Sequence, residues 1–201
     1  MSRKSLFDQF EVVGRDLFAS RLISSHGGNL SIRQGDTIYI TRTGCQLAHL
    51  CKSDIVEVPL IGSSPADEQA SCELVVHRAI YQMRQRVFGA CDGAIVHAHS
   101  SATTIRSLID DAITPLDSEA RFMIGQAPIV TAKTTIGSPE AARLLAEALS
   151  SEQPHRAIAV LRGHGPFAYG SMLEDAYRLV SVLEHSSVII NQIQILDQPL
   201  R

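Results

Sequence analysis

Two histidines close an apolar run, Gly93-Ala94-Ile95-Val96-His97-Ala98-His99. Side chains two apart on a strand point to one face, so a strand here projects two imidazoles side by side. A bare pair of this kind more often marks hydrogen-bonded core histidines. A third histidine shifts the balance. His164 follows a second apolar run, residues 157–161, within Arg162-Gly163-His164-Gly165-Pro166. Flanking glycines let the backbone bring that ring in closely. Three neutral imidazoles with a fourth position open form the donor set of a catalytic zinc ion, and the same donors accept other divalent transition metals.

Ser71-Cys72-Glu73 stands where a helix begins, running from about Cys72 to Phe88 with Ser71 as its cap. Glu73 is then either a first-turn carboxylate that suits the helix dipole or a carboxylate of the site, as general base or additional metal ligand. Backbone donors at such a start hold anions, which makes Ser71 and Cys72 phosphate candidates. His77, one turn further on, is either a partner that supports the site from behind or, as the preferred reading, a packing residue. Two turns, Gly28-Asn29-Leu30-Ser31 and Thr43-Gly44, can form nests of N–H groups that accept an anion. No Walker A or GxGxxG motif is present, so nothing supports a nucleotide.

The elements that must carry these residues follow from periodicity. A helix over Lys4 to Ala19 places Phe7, Phe10, Val13, Leu17 and Phe18 on one face. A loop at residues 23–29 leads into a strand through Leu30 and Ile32. Gln34-Gly35-Asp36 then turns it into a partner at 37–41. Strands are expected at 55–60, 93–99, 128–132 and 157–161, with a polar loop at 61–70. Helices are expected from Ser100 to Leu108, from Ser138-Pro139-Glu140 onward, and from Met172 to Ile195. Strand pairs mixed with helices predict a layered α/β domain around a largely antiparallel sheet, one domain over residues 1–201.

The 201 residues are 45% hydrophobic and 19% charged, with a net charge of −3. That balance offers no basic excess for nucleic acid or an anionic membrane, while backbone donors can still hold a small phosphorylated substrate. Cys45, Cys51, Cys72 and Cys91 match no zinc-finger spacing and read as reduced, mostly buried thiols of a cytoplasmic protein. The first residues lack the apolar stretch of a signal peptide, and no apolar run is expected to span a membrane.

Taken together, Ser25-His26-Gly27-Gly28-Asn29-Leu30-Ser31, Thr41-Arg42-Thr43-Gly44, Ser71-Cys72-Glu73, His97-Ala98-His99-Ser100 and Gly163-His164-Gly165 resemble, in order and spacing, the class II aldolase/adducin family. The likeness spans roughly residues 5 to 190 and is strongest toward its fuculose-1-phosphate aldolase branch. It implies a three-layer α/β/α fold and a homotetramer with active sites between neighbouring subunits. It implies zinc on His97, His99 and His164, with Glu73 as the catalytic carboxylate and additional ligand. Phosphate contacts would fall on Gly28, Asn29, Thr43, Gly44, Ser71 and Cys72. The implied reaction cleaves a ketose 1-phosphate to dihydroxyacetone phosphate and a small aldehyde such as lactaldehyde. Sister activities on the same scaffold are methylthioribulose-1-phosphate dehydration and pentose-phosphate 4-epimerisation, and adducin-like members bind without catalysis. The chain departs from the pattern in two places. Cys72 replaces a serine. Phe122, in Ala120-Arg121-Phe122-Met123, stands where the aldolases bring a proton-donating tyrosine from the adjacent subunit; a second tyrosine near their C-terminus has no counterpart in Gln198-Pro199-Leu200-Arg201.

Overall fold

The computed structural model describes residues 5–89, 92–150 and 153–196. Helix α1 (Leu6–Ala19) starts at Ser5, whose hydroxyl accepts from Asp8 N while the Asp8 carboxylate accepts from Ser5 N. This reciprocal cap satisfies two otherwise orphan donors. Its inner face buries Phe10, Val13 and Leu17, whereas Phe18 turns to solvent.

Strands β1 (Asn29–Gln34), β2 (Thr37–Thr41) and β3 (Ile55–Pro59) form an antiparallel meander, with the turn at Gly35 pairing Gln34 to Thr37. Helix α2 (Leu74–Phe88) then leads to β4 (Gly93–His97), α3 (Ser101–Ile109), β5 (Ala112–Ile113), α4 (Ser118–Met123) and β6 (Ala127–Val130). Helix α5 (Pro139–Ala148), β7 (Ala157–Leu161), β8 (Gly165–Gly170) and α6 (Leu173–Leu196) complete the chain. The eight strands make one sheet in the order β3-β2-β1-β4-β8-β7-β6-β5. Every neighbouring pair is antiparallel except β6 with β7.

Strand alternation sorts the core into two clusters. Leu30, Ile32, Ala94, Val96, Val160 and Ala168 pack with residues of α1 and α6. Their opposite-parity neighbours Ile95, Ala159, Leu161, Phe167 and Tyr169 pack with α2 and α5. His97 shares the parity of Ile95 and so faces the α2 side.

Several expectations change. Strands β5 and β8 and helix α4 were not expected. Gly165-Pro166-Phe167-Ala168-Tyr169-Gly170 carries glycine and proline signals that read as a loop, yet all six residues are buried in the sheet centre. Helix α2 begins at Leu74 instead of Cys72. A 3-10 turn occupies Pro65–Glu68 inside the predicted loop. Cys45 is buried but Cys51 and Cys72 are exposed, which corrects the expectation of mostly buried thiols; Cys91 and Gln198–Arg201 lie outside the described residues. Helix α6 is also long and apolar enough, at 24 residues and a mean hydropathy of 1.2, to cross a membrane by length and composition. No such run was expected. Here Leu173, Ala176, Leu179, Val180 and Leu183 of α6 are buried in the core, and the helix packs on β8, β4, α3 and α1.

Two glycines fix how the site elements meet. Gly28 has φ +78°, and a Cβ there would lie 2.7 Å from the His97 carbonyl oxygen. Gly165 has φ +144°, and a Cβ would collide with the carbonyl oxygen of Ala98. The turn holding His164 can close onto the end of β4 only without a side chain at 165. Gly165→Ala should therefore cost ~2 kcal/mol or more in urea denaturation; an unchanged midpoint would show that the approach is not tight.

Candidate metal centre and active site

The register of β4 determines what surrounds His97. Asn29 on β1 lies opposite it on one side and Phe167 on β8 on the other. The imidazole stacks on Phe167, with centroids 3.9 Å apart and planes at 12°, and lies nearly parallel to the His164 ring at 4.8 Å. Its Nδ1 donates to Pro166 O at 3.0 Å. A carbonyl oxygen can only accept, so the proton sits on Nδ1 and Nε2 presents a lone pair.

The other two rings converge on that nitrogen. His99 Nε2 lies 2.9 Å and His164 Nε2 3.0 Å from His97 Nε2. β4 ends at His97, so His99 is placed by its own N–H, which donates to Leu22 O at 3.0 Å. His164 is placed by its N–H to Leu161 O at 3.0 Å and by the neighbouring Gly163 N–H to Ser107 Oγ at 2.9 Å. The candidate ligand atoms of the three histidines all lie within 4.8 Å of one another. Convergent nitrogens, one of them fixed as a lone pair, repel unless a proton or cation sits among them. This donor set fits a divalent transition metal.

Glu73 completes the cluster. Ser71 Oγ accepts from Glu73 N at 3.2 Å and Ser71 O from Leu74 N at 2.9 Å. This turn delays the helix and leaves Glu73 as the residue before its first turn. The carboxylate makes no bond to the start of its own helix. Instead Oε2 lies 3.2 Å from His97 Nε2 and Oε1 3.2 Å from His164 Nε2. Asn29 Nδ2 donates to Oε2 at 2.8 Å. Of the two sequence readings of Glu73, the geometry supports the site carboxylate.

Burial pushes the His97 ring down to about 3, against the pull of Glu73, and the His77 ring down to about 4. Both rings are neutral at neutral pH, as ligation requires. Burial opposes ionisation of Glu73, but the surrounding His97, His164 and Asn29 outweigh it and hold the carboxyl below the usual carboxylate range.

The candidate anion contacts gather beside Glu73. Ser71 N donates to Thr41 O at 3.0 Å, Thr43 N to Gln69 O at 3.2 Å and Thr43 Oγ1 to Ala70 O at 2.9 Å. These bonds stitch the Thr43-Gly44 turn to Ser71. Gly44, at φ +74°, has open space on its Cβ side, and Cys72 is exposed beside it in sequence with Ser71. Gly28 abuts the His97 backbone. The Asn29 side chain is occupied: its Nδ2 serves Glu73 and its Oδ1 lies 2.5 Å from His77 Nε2. His77 is thus not the plain packing residue expected. Ser31 and Tyr81, which sequence reasoning missed, continue its hydrogen bonding. Phe122 is 82% exposed on α4.

Fold, histidine cluster and carboxylate have a known counterpart. Residues 9–190 match the family described as Class II Aldolase and Adducin N-terminal domain, and the chain belongs to it. It is a metal-dependent lyase of the class II aldolase type. Among the relatives it resembles, the L-fuculose phosphate aldolase of Methanocaldococcus jannaschii is 32% identical, the match covering 89% of this chain and 92% of that protein. The methylthioribulose-1-phosphate dehydratase of Acidiphilium cryptum is likewise 32% identical, covering 86% of this chain and 83% of that protein. Among solved structures, the l-fuculose-1-phosphate aldolase of Thermus thermophilus superposes with a TM-score of 0.86 at 38% identity, covering 99% of this chain and 100% of that one.

Two outcomes follow. His164→Ala should weaken zinc binding in a competitive chelator titration by more than the roughly 10–100-fold that loss of a supporting partner costs; unchanged affinity would remove His164 from the ligand set. The second concerns protons. Unfolded histidine titrates near 6.5, and folded His77 near 4. Between these values the unfolded chain binds more protons, so the contribution is complete above pH 6.5 and is lost as pH falls toward 4. The thermal midpoint of metal-free protein should fall across that window, less steeply in His77→Gln; identical slopes would contradict a neutral buried ring.

Proposed function

We propose that the chain is a zinc-dependent aldolase that cleaves a ketose 1-phosphate of the fuculose 1-phosphate kind to dihydroxyacetone phosphate and a small aldehyde such as lactaldehyde. The observation that carries this reading is the placement of the Glu73 carboxylate 3.2 Å from both His97 and His164. A general base and a metal-ligating cluster then act on one substrate. His97, His99 and His164 would hold the ion, with Glu73 as a further ligand before substrate arrives. When bound, the ion supplies Lewis-acid polarisation of the substrate oxygens. Gly28, Asn29, Thr43, Gly44, Ser71 and Cys72 frame the phosphate end. The Thr43 and Ser71 N–H groups and the Asn29 and Thr43 side-chain donors already bond within the protein, so the Ser71 hydroxyl, which only accepts there, and the Gly44 and Cys72 N–H groups are left for the anion, and the weak thiol donor of Cys72 matters less.

Glu73 takes the proton of the C4 hydroxyl. The C3–C4 bond breaks as the C4–O bond becomes a carbonyl, and its electron pair passes to the dihydroxyacetone half. A proton returned to C3 completes the second product. With phenylalanine at 122, Glu73 can serve both transfers. The exposed apolar residues Ile105, Leu108 and Ile109 on α3, and Phe122 on α4, support burial of apolar surface against further copies in a homotetramer with active sites at subunit boundaries. The two core clusters, on opposite faces of the sheet, support a single three-layer α/β/α domain. The exposed thiols and the charge balance suit a cytoplasmic location.

The equal identity to a methylthioribulose-1-phosphate dehydratase, together with Phe122, favours dehydration as the second reading. Epimerases of this scaffold place aspartate where Glu73 stands, and an adducin-like binder has no need of the retained ligands. Fuculose 1-phosphate, ribulose 1-phosphate and methylthioribulose 1-phosphate should be offered separately to metal-loaded protein. Dihydroxyacetone phosphate from at least one, in a coupled assay, is the expected result. Its absence from all three would end the aldolase reading, and water loss from the third would establish the dehydratase. Glu73→Gln should retain metal and lose turnover by ~10²–10⁴-fold; surviving activity would reassign the base.

A further inference from the structure

Behind Glu73 lies a buried line of hydrogen bonds, of which the proposed chemistry uses only Glu73 and Asn29. Asn29 Nδ2 is 2.8 Å from Glu73 Oε2, His77 Nε2 is 2.5 Å from Asn29 Oδ1, Ser31 Oγ is 2.6 Å from His77 Nδ1, and Tyr81 hydroxyl is 2.8 Å from Ser31 Oγ. All five residues are buried. They come from two elements only. Asn29 and Ser31 are alternate residues of β1, and Glu73, His77 and Tyr81 recur every fourth residue along one face of α2.

The donors in this line have one consistent direction. An ionised carboxylate only accepts, so the Asn29 amide must turn its Nδ2 to Glu73 and its Oδ1 to His77. Oδ1 only accepts, so His77 carries its proton on Nε2. Nδ1 is then bare and takes the Ser31 hydroxyl proton, and Ser31 Oγ in turn accepts from Tyr81. Burial raises the Tyr81 phenol above its usual range, so it remains a donor. Glu73 Oε1, in contrast, has no hydrogen-bond donor of its own among the described residues and faces His164.

We propose that His77 is a positioning residue: through Asn29 it pins Glu73 Oε2 as an acceptor and so reserves Oε1 for the substrate proton. This rests on Glu73 as the base of the proposed lyase reaction. The relay acts only on the direction of donors, so it stabilises one rotamer of the carboxylate without entering the site.

The first test needs no substrate. ¹⁵N NMR of the imidazoles in metal-free protein should show His77 with a protonated Nε2 and a bare Nδ1, and Asn29→Ala, which removes the acceptor that fixes Nε2–H, should mix the two tautomers. A protonated Nδ1 in the native protein would overturn the relay whether or not the chain proves to be an aldolase. The second test is kinetic, on zinc-loaded protein. His77→Phe keeps a ring against Phe167, which it meets edge-on at 6.1 Å. It should lower kcat by ~10–100-fold with KM little changed, and His77→Gln, which restores an amide donor near Nε2, should recover most of the loss. Equal kcat in the two variants would reduce His77 to a packing role. If His77→Phe does not fold, the tautomer change in Asn29→Ala decides the matter, and an unaltered tautomer there would overturn the relay.

Discussion

The antiparallel pairing that sets Asn29 opposite His97 is the constraint on which the site depends. One cross-strand pair puts an amide donor beside a metal-binding ring, and the amide then holds Glu73 against that ring. A one-residue slip of β1 would turn Asn29 to the other face and bring Leu30 in its place. The two cores resist such a slip, because Leu30 and Ile32 must remain with α1 and α6 while Asn29 and Ser31 face α2. Hydrophobic sorting across the sheet thus fixes the polar register of the site.

Rigidity is supplied from behind each ligand. His97 stacks on Phe167, lies nearly parallel to His164 and is tied to Pro166 O. Gly165 allows the turn bearing His164 to lie on the end of β4, and the Ser107 hydroxyl ties that turn to α3. Each support comes from a different element, so the convergence of three rings is a tertiary property of the β4–β8–β7 centre of the sheet. Burial there favours the neutral form of the His97 and His99 rings, the protonation state that metal ligation needs.

Much of this was legible in the sequence. The two histidine motifs, Glu73 and the segments proposed to contact an anion could be picked out because the residue types are rare in apolar surroundings and recur in a known order, although Asn29, Leu30 and Ser31, read as a turn, belong to strand β1. The meander β1–β3 and helices α1, α5 and α6 followed from alternation, capping and turn chemistry. Strand β8 did not, because its glycines and proline mimic a loop. Gly165 is required by a contact with Ala98 that only the folded chain reveals. The start of α2 was misplaced because the Ser71 hydroxyl stabilises a turn before the helix instead of the helix itself. The supporting line behind Glu73 left a trace in the four-residue spacing of Glu73, His77 and Tyr81. That trace acquires meaning only once Asn29 and Ser31 are known to face it across the sheet.

The central claim is that His97, His99 and His164 act together with Glu73 on one ion. X-ray absorption at the zinc edge of the loaded, substrate-free protein addresses it directly. Three nitrogen scatterers at about 2.0–2.1 Å, completed by oxygen, are the predicted first shell. A shell containing sulfur at about 2.3 Å, or no stoichiometric uptake of zinc, would contradict the account.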